Sequence, residues 1–230
     1  MARYRRSFLS KAWRVTWRVL LLLVLCLLVL RFVPPPTTAF MLQSDYPVSQ
    51  NWISIDELPP YVPLAVVAAE DQRFPDHFGV DFLEVSNAIS KVLSQQGDGD
   101  GMRGASTITQ QTAKNLFLWP GRSLLRKGLE AGLAVGLEAL WGKKRILEVY
   151  LNVAEFGKGI YGVEAASQYY FGQSARYITN NQAARLAIIL PSPRTRDPQD
   201  LTAYLRKRVA WVERQMRQLG PDYLTPILDN

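Results

Sequence analysis

Cysteine and histidine are almost absent from this 230-residue chain, which has one of each, Cys26 and His77. A single cysteine inside an apolar run can build neither a disulfide framework nor a zinc cluster. A single histidine, with no G-x-S-x-G, S-x-x-K or K-T-G motif, excludes the usual serine hydrolase and transpeptidase triads. No spacing typical of metal ligands occurs either. The chemistry of the chain must therefore depend on carboxylates, hydroxyls, amides and cations.

Acidic residues are missing from the first 31 positions, which hold seven of the 27 lysines and arginines. The remaining 20 basic residues are balanced by all 20 acidic residues, so the rest of the chain is formally neutral. A nucleic-acid-binding domain would need a basic face on its folded part. The charge pattern therefore argues against nucleic acid as a partner. A hydrophobic content of 48% is enough for one buried core and excludes a disordered protein.

Residues 19–30 form an apolar run without a polar side chain. At 1.5 Å per residue this run covers roughly 18 Å, less than the hydrocarbon core of about 30 Å. Its flanks extend it to a transmembrane helix over residues 13–33, because tryptophans favour the interface and arginines can reach the headgroups. Six basic residues precede the run and one follows it. This asymmetry predicts a cytoplasmic tail at residues 1–12 and places the rest of the chain across the membrane.

A cleaved secretory signal is the alternative for this segment, because a basic start, an apolar stretch and small residues at 37–39 fit one too. Arg31 and the prolines at 34–36 make an awkward cleavage region, which favours an uncleaved anchor. Both interpretations place the following domain outside the cytoplasm. The prolines fix φ and favour an extended spacer. We therefore expect a stiff stalk over residues 34–39 and a folded domain over residues 40–230.

The pattern from residue 40 onward is mainly helical, because apolar residues recur mostly every three or four positions. Residues 40–58 favour a short strand instead. Two of the expected helices cover residues 123–141 and 143–155, and the glycine-rich residues 97–104 predict a solvated loop. Capping residues and prolines mark the expected helix starts. These starts are Asp81, Ser123, Lys143, Thr179 and Asp197-Pro198.

Glu70 ends a run of small and branched apolar residues that begins at Ala65. If its carboxylate faces a cleft, it is desolvated on one side, and desolvation raises the pKa toward general acid–base work. The alternative is a first polar residue emerging from a buried helix. The residues alone leave both interpretations open.

A second polar stretch, residues 104–130, combines neutral hydrogen-bonding groups with cations. The neutral groups are Ser106, Thr107, Thr109, Gln110 and Gln111, and the cations are Lys114, Arg122, Arg126 and Lys127. Hydroxyls and amides suit sugars, and grouped cations favour an anionic ligand, most commonly phosphate. Glu130 lies four residues after Arg126, so a helix places both on one face, either in this site or as a solvated salt bridge. Glu70 and Glu130 together would give the paired carboxylates used in glycosidic chemistry.

Four longer motifs occur in order along the chain. They are E-D-x-x-F-x-x-H-x-G at 70–79, G-x-S-T-I-T-Q-Q-x-x-K-N at 104–115, R-K-x-x-E at 126–130 and K-x-x-I-L-E-x-Y-L-N at 143–152. In this order they resemble the motifs of the peptidoglycan glycosyltransferases, over about residues 56–194. One departure is Ala105, which replaces a glycine usual in that family. Without transpeptidase motifs, the chain is most similar to the monofunctional biosynthetic members, which are related to the N-terminal domain of bifunctional penicillin-binding proteins.

The resemblance implies a mainly α, lysozyme-like helical domain with a small membrane-proximal jaw. It also implies that a lipid-linked disaccharide-pentapeptide pyrophosphate gives its sugar C1 to the 4-hydroxyl of a second sugar, with inversion to a β-1,4 glycan. Glu70 would take the proton of that hydroxyl, and Glu130 would orient the cations or the donor. Lys114, Arg122 and Arg126 would bind the pyrophosphate. Ser106, Thr107, Gln110 and Gln111 would line the donor groove.

No cofactor is required by this reaction, although a divalent cation, Mg²⁺ or Mn²⁺, is compatible with a pyrophosphate substrate. Expected partners are the lipid-linked precursor, the membrane and other cell-wall or division proteins. The expected location is the bacterial inner membrane, with one span, a cytoplasmic N-terminus and a periplasmic catalytic domain. Two rivals are a lytic enzyme that cleaves finished glycan, which has no use for the cations, and a non-catalytic envelope scaffold.

Overall fold

The computed structural model of the chain describes residues 2–93, 106–121 and 123–229, and residues 1–35 and 36–230 form two separate compact units. The expected glycine-rich loop at 97–104 and the expected pyrophosphate ligand Arg122 lie outside the described residues. The first unit contains helix α1, Ala2–Leu30. Its segment Trp13–Leu30 is long and apolar enough to cross a membrane, a test that a signal sequence would also pass. The helix ends three residues before the expected end of the span.

The second unit is built mainly from helices, as the apolar spacing predicts. The helices are α2 (Ala39–Leu42), α3 (Tyr61–Glu70), α4 (Phe82–Leu93), α5 (Ile108–Phe117), α6 (Leu124–Leu140), α7 (Lys143–Val153), α8 (Val163–Phe171), α9 (Asn180–Ile189), α10 (Ala203–Leu219) and α11 (Thr225–Leu228). Short 3-10 turns cover Ile55–Glu57 and Phe74–Asp76. The expected strand near residues 40–58 is β1 (Ser49–Gln50), and two more strands follow α7, β2 (Glu155–Gly157) and β3 (Ile160–Tyr161).

The three short strands form one sheet in the order β1-β3-β2. Strand β1 runs parallel to β3, with Ser49 opposite Ile160, whereas β2 is antiparallel to β3 with an irregular register. The buried Asn152, at the end of α7, connects this region to the chain before α3. Its side chain accepts a hydrogen bond from Ile53 N and donates to Ile53 O, each at 2.9 Å. The segment that leads into α3 is thereby fixed to α7.

Helix α3 is the centre of the helical core. It is apolar on every side, and residues 62–68 are all buried, as expected for a helix surrounded by other helices. It packs against α9 and α10, while α5 packs against α6 and α7. The one charged side chain of α3 belongs to its last residue, Glu70. The apolar run that ends at Glu70 is therefore a buried helix, and its end is where the carboxylate emerges.

Most expected helix starts are confirmed by the hydrogen bonds that cap them. Ser123 Oγ accepts from Arg126 N at 3.1 Å, and α6 runs to Leu140. Thr179 and Gln182 form the reciprocal capping box that begins α9. Asp81 Oδ1 accepts from the backbone N–H groups of residues 83 and 84 at the start of α4. Helix α7 begins at Lys143 as expected and ends at Val153, two residues early.

The expected start of α10 at Asp197-Pro198 is wrong. Asp197 Oδ1 instead accepts from Gln199 N at 2.7 Å, which closes a turn in the loop. The helix begins at Ala203, because Thr202 has extended backbone and its hydroxyl accepts from Leu205 N at 3.2 Å. Both Asp197 and Thr202 are capping types, and only Thr202 is followed by a helix.

Gly79 has no room for a side chain. Its φ is +77°, a backbone region that L-residues rarely adopt, and an added Cβ would lie 2.9 Å from the carbonyl carbon of Ala134 in α6. Its N–H donates to Glu138 Oε1 at 3.1 Å, and its carbonyl accepts from the Thr107 hydroxyl at 2.6 Å. The turn after α3 is therefore in close backbone contact with α6 and the start of α5.

We expect Gly79→Ala to lower the free energy of unfolding by about 2–4 kcal/mol, because strained backbone and a steric clash act together. The matched control is Gly172→Ala, with φ +65° but nothing within 4 Å of the added Cβ, for which we expect about 1 kcal/mol. Urea unfolding of the full chain in mild detergent, followed by tryptophan fluorescence, measures both. Equal losses for the two variants would show that the contact with Ala134 contributes nothing.

Candidate active site

A cavity of about 340 Å³ opens beside Glu70 at the end of α3. Part of the Glu70 side chain remains open to it, and Gln111 Nε2 donates to Glu70 Oε2 at 2.9 Å. The cavity wall is rich in polar and charged groups. It is lined by Ala68, Ala69, Glu70, Asp71, Gln72, Arg73, Asp81, Glu84, Ser106, Thr107 and Trp211. Of the two interpretations of Glu70, the structure supports the carboxylate that faces a cleft.

Burial raises the pKa of Glu70 above its ordinary value, because the apolar end of α3 withdraws the carboxylate from water. The hydrogen bond from Gln111 opposes this increase, and so do the positive charges of Lys114, Arg208 and Arg196, in that order. Burial has the larger effect. Glu70 is therefore a carboxylate with a neutral hydrogen-bond donor and surrounding cations, and it binds a proton more readily than an exposed glutamate.

The turn after Glu70 is held by residues of the same motif. Asp71 Oδ2 accepts from Ile108 N at 2.9 Å, at the first residue of α5, and lies 3.0 Å from His77 Nε2. Gln72 Nε2 donates to Gln215 Oε1 of α10 at 3.1 Å, and the Tyr223 hydroxyl donates to the carbonyl of Gln72. These contacts connect the residues after Glu70 to α5, α10 and the C-terminal segment. They fix the position of the carboxyl relative to α5.

Two of the four expected donor-groove residues form the capping box that starts α5. Thr107 accepts from Gln110 N at 3.1 Å, and Gln110 Oε1 accepts from Thr107 N at 3.2 Å. Gln110 is buried, whereas Ser106 and Thr107 line the cavity. Gln111 comes directly after the capping box and donates to Glu70. The structure thus brings Ser106, Thr107 and Gln111 to the cavity region and places Gln110 inside the helix start.

Lys114 lies one turn further along α5, largely buried, with its ammonium 5.2 Å from the centre of the Phe40 ring. Burial lowers the pKa of Lys114 below its ordinary value. The charges of Glu130 and Glu70 oppose this decrease, and those of Arg126 and Lys127 add to it. Lys114 thus interacts with both expected carboxylates and connects Glu70 to the cations of α6.

Glu130 is buried in α6 and shared between two cations. Arg126 Nη1 lies 2.8 Å from Glu130 Oε2, and Lys127 Nζ lies 2.5 Å from Glu130 Oε1. Lys127 also donates to the Ser106 hydroxyl at 2.8 Å. The Nε atom of Arg126 is buried and has no hydrogen-bond acceptor in the described part of the chain. The ion pairs of Glu130 are therefore not an exposed surface salt bridge, because its carboxylate is buried. Glu130 holds Arg126 and Lys127 beside Lys114 and does not itself line the Glu70 cavity.

Several groups near Glu70 were not expected from the sequence. Arg208 and Trp211 of α10 stack with the guanidinium 4.3 Å from the ring centre, and Trp211 lines the cavity. Arg196, from the loop after α9, acts on Glu70 together with Arg208. A cation three residues before a tryptophan on one helix was the available signal for the first pair. No comparable pattern marks Arg196.

The basic residues at the start of α7 form structural contacts. Lys143 Nζ donates to Glu138 Oε1 and to the carbonyl of His77, each at 2.6 Å. Glu138 also accepts from the Thr109 hydroxyl at 2.7 Å, so Thr109 joins this network. Among residues 2–93, 106–121 and 123–229, no three His, Cys, Asp or Glu side chains are grouped so that they could hold a metal ion.

Comparisons with known proteins agree with this geometry. Residues 38–217 match the family model described as Transglycosylase. The biosynthetic peptidoglycan transglycosylase of Marinomonas sp. (strain MWYL1) is 73% identical over 229 residues, which cover 100% of both chains. The biosynthetic peptidoglycan transglycosylase of Shewanella frigidimarina is 73% identical over 226 residues, which cover 98% of both chains. The protein of the same name from Haemophilus influenzae is 45% identical over 236 residues, which cover 95% of this chain and 94% of the relative. The chain described here belongs to the transglycosylase family, whose catalytic domain has a lysozyme-like helical fold.

Proposed function

We propose that this protein is a peptidoglycan polymerase that elongates glycan strands from a lipid-linked disaccharide-pentapeptide pyrophosphate. The observation that carries this proposal is the cavity that both Glu70 and Ser106 line, because the Ser106 hydroxyl accepts from Lys127, which Glu130 holds together with Arg126. A proton acceptor next to cations suits a reaction in which a hydroxyl attacks a carbon that bears a pyrophosphate leaving group. The names of the relatives agree with this activity.

Glu70 takes the role of general base in this proposal. It accepts the proton of the 4-hydroxyl of the acceptor sugar while that oxygen attacks C1 of the donor. Displacement of an α-linked pyrophosphate in one step inverts C1 and gives a β-1,4 bond. The raised pKa of Glu70 suits this task, because a base acts most effectively when its pKa approaches the working pH.

Lys114, Arg126 and Arg122 take the role of pyrophosphate ligands. Negative charge grows on the leaving pyrophosphate as the bond to C1 breaks, and fixed cations in a site with little water stabilise that charge. Glu130 positions Arg126 and Lys127 for this purpose through its two ion pairs. Ser106, Thr107 and Gln111, together with the helix start that Gln110 stabilises, form the donor groove. No resident cofactor enters this scheme, and Mg²⁺ or Mn²⁺, where present, arrives with the pyrophosphate.

The membrane is the second partner in this proposal, because both substrates carry lipid tails. Helix α1 anchors the chain in the inner membrane, with the basic N-terminus in the cytoplasm and the catalytic domain in the periplasm. In the catalytic unit, α4 and α6 each begin with exposed apolar residues. Phe82 is 75% exposed and Leu124 is 92% exposed, and each is followed by a second exposed leucine. We assign these two helix starts to the jaw that meets the lipid surface.

Glu70→Gln tests the role of the base. We expect it to reduce polymerisation of the lipid-linked precursor by about 10²–10⁴-fold, because the amide cannot accept the proton. The matched control is Glu57→Gln, at a half-exposed glutamate paired with Arg176, which should keep full activity. Gel analysis of glycan products made from labelled precursor measures both variants. Near-normal polymerisation by Glu70→Gln, or cleavage of finished glycan by the wild type, contradicts the proposal.

The same substitution has a predicted effect on stability. Because the folded-state pKa of Glu70 is raised, the native state holds more protons than the unfolded state between the two pKa values, and stability falls as the pH rises through that window. Glu70→Gln removes this loss. We therefore expect its Tm to equal or exceed that of the wild type at pH 7, with the difference disappearing near pH 4. A lower Tm only at pH 7 would show that the surrounding cations stabilise the ionised form overall.

Lys114→Ala tests the pyrophosphate site. We expect it to raise KM and lower kcat together, with a loss of about 10²-fold or more in kcat/KM, because the ammonium contacts the pyrophosphate in the ground state and in the transition state. Steady-state kinetics with the lipid-linked precursor measure the two constants. The control is Lys144→Ala, which removes a partly exposed lysine paired with Asp56 and should change neither. If Lys114→Ala behaves like that control, Lys114 lies outside the site.

A further inference from the structure

A chain of hydrogen bonds runs from α7 to the carboxyl of Glu70. The Tyr150 hydroxyl donates to Gln111 Oε1 at 3.1 Å, and Gln111 Nε2 donates to Glu70 Oε2 at 2.9 Å. Tyr150 is 1% exposed and is not among the residues that line the cavity. Its hydrogen-bonded route to Glu70 therefore passes through Gln111.

The Gln111 amide can satisfy Glu70 in only one orientation when Glu70 is ionised. Its nitrogen end donates hydrogen bonds, whereas its oxygen end only accepts them. In the reversed orientation the amide oxygen would face the carboxylate, and two acceptors would oppose each other unless Glu70 carried a proton. The orientation of Gln111 and the protonation of Glu70 are therefore linked.

The Tyr150 hydroxyl favours one of the two orientations, because in the reversed one it could accept from Gln111 Nε2 but would lose the acceptor for its own proton. When Gln111 donates to Glu70, its oxygen points into the interior and needs a donor, because an unpaired buried acceptor is costly. The Tyr150 hydroxyl is that donor. Burial raises the pKa of Tyr150 well above its ordinary value, and the negative charges of Glu70 and Asp71 raise it further. The hydroxyl is therefore protonated at neutral pH and can act as the donor.

We infer that Tyr150 is a positioning residue for the base, because it holds the Gln111 amide with its N–H end toward Glu70 and so favours the proton-accepting form of Glu70. This inference rests on the proposed role of Glu70. It adds a function to the tyrosine of the fourth motif, which is buried and does not line the cavity. In this arrangement α7 affects the chemistry through one amide group of α5.

Other charged groups also act on Glu70, and they must stay unchanged in a test. Lys114 of α5, Arg208 of α10 and Arg196 of the loop after α9 lower the pKa of Glu70. The charged residues along the cavity are Asp71, Arg73, Asp81 and Glu84. Tyr150→Phe removes one hydroxyl and none of these charges. A change in the titration of Glu70 in this variant therefore reports the amide.

The first test is the pH dependence of polymerisation by the full chain in detergent. We expect Tyr150→Phe to move the acidic limb of the rate profile to higher pH, lowering the rate on that side by roughly three- to ten-fold, with little change in KM on the plateau. The control is Tyr170→Phe. Tyr170 is also buried, and its hydroxyl donates to the carbonyl of Phe156 at 3.1 Å, without a connection to Glu70. An equal shift in both variants overturns the inference, and so does an unmoved limb in Tyr150→Phe when the titration of Glu70, measured directly as described below, is also unmoved.

A second variant separates positioning from a general structural role. Gln111→Met removes the amide, so Tyr150 loses its route to Glu70. We expect Tyr150→Phe to shift the acidic limb in the wild-type background and to add no further shift in the Gln111→Met background. Equal shifts in both backgrounds would mean that Tyr150 acts on Glu70 independently of Gln111, which overturns the inference.

The titration of Glu70 can also be measured without catalysis. Infrared difference spectra of protein with ¹³C-labelled glutamate, taken against Glu70→Gln, isolate the carboxyl band of Glu70. We expect the band of the protonated acid to persist to higher pH in Tyr150→Phe than in the wild type. If this band shifts while the rate profile does not, the positioning role stands and Glu70 is not the base. If the band does not shift, the positioning role is wrong, whatever the rate profile shows.

Discussion

The withdrawal of one carboxylate from water is the constraint on which the rest of this structure depends. Glu70 lies at the end of a helix that is apolar on every side, so its charge is costly and must be balanced. The balance comes from Lys114, Arg196 and Arg208, which belong to α5, to the loop after α9 and to α10. Elements far apart in the chain thus meet at Glu70. One of these cations, Lys114, is also a proposed ligand of the pyrophosphate, so the group that offsets the charge of Glu70 has a second role in the proposed reaction.

Some of the motif residues that line the cavity also fix the elements around it. Asp71 accepts from the first N–H of α5, and Thr107 caps the same helix while donating to the carbonyl of Gly79. The turn after α3 and the start of α5 are therefore held together on both sides. Gln111 follows one turn later and meets Glu70. The capped start of α5 packs against the tight turn after α3. This local arrangement determines the position of the Glu70 carboxyl relative to its hydrogen-bond donor, Gln111.

The sequence predicted the parts of this structure whose signals are local. Ser123 and Thr179 cap helices because a hydroxyl beside an apolar periodic stretch leaves few other conformations, and Glu70 was recognisable as the polar end of an apolar run. Contacts between distant elements have no such signal. The residues next to Arg196 and Arg208 in the sequence do not indicate that these arginines lie near Glu70. Asp197 and Thr202 are both capping types, and the surrounding loop determines that α10 begins after Thr202. Gln110 was expected in the groove because an amide side chain suits sugars. A glutamine three residues after a threonine also completes a capping box, and Gln110 does so here.

The two glutamates differ in their partners, and the proposed roles follow this difference. Glu130 is buried and held by a guanidinium at 2.8 Å and an ammonium at 2.5 Å, so each of its carboxylate oxygens has a cationic partner. Glu70 accepts its hydrogen bond from a neutral amide and forms no ion pair within the described residues, and burial raises its pKa. The proposed roles of two identical side chains thus follow from their different partners. In the proposed reaction, the carboxylate with the neutral partner is the one assigned to the proton, and the carboxylate with charged partners is the one assigned to position the cations.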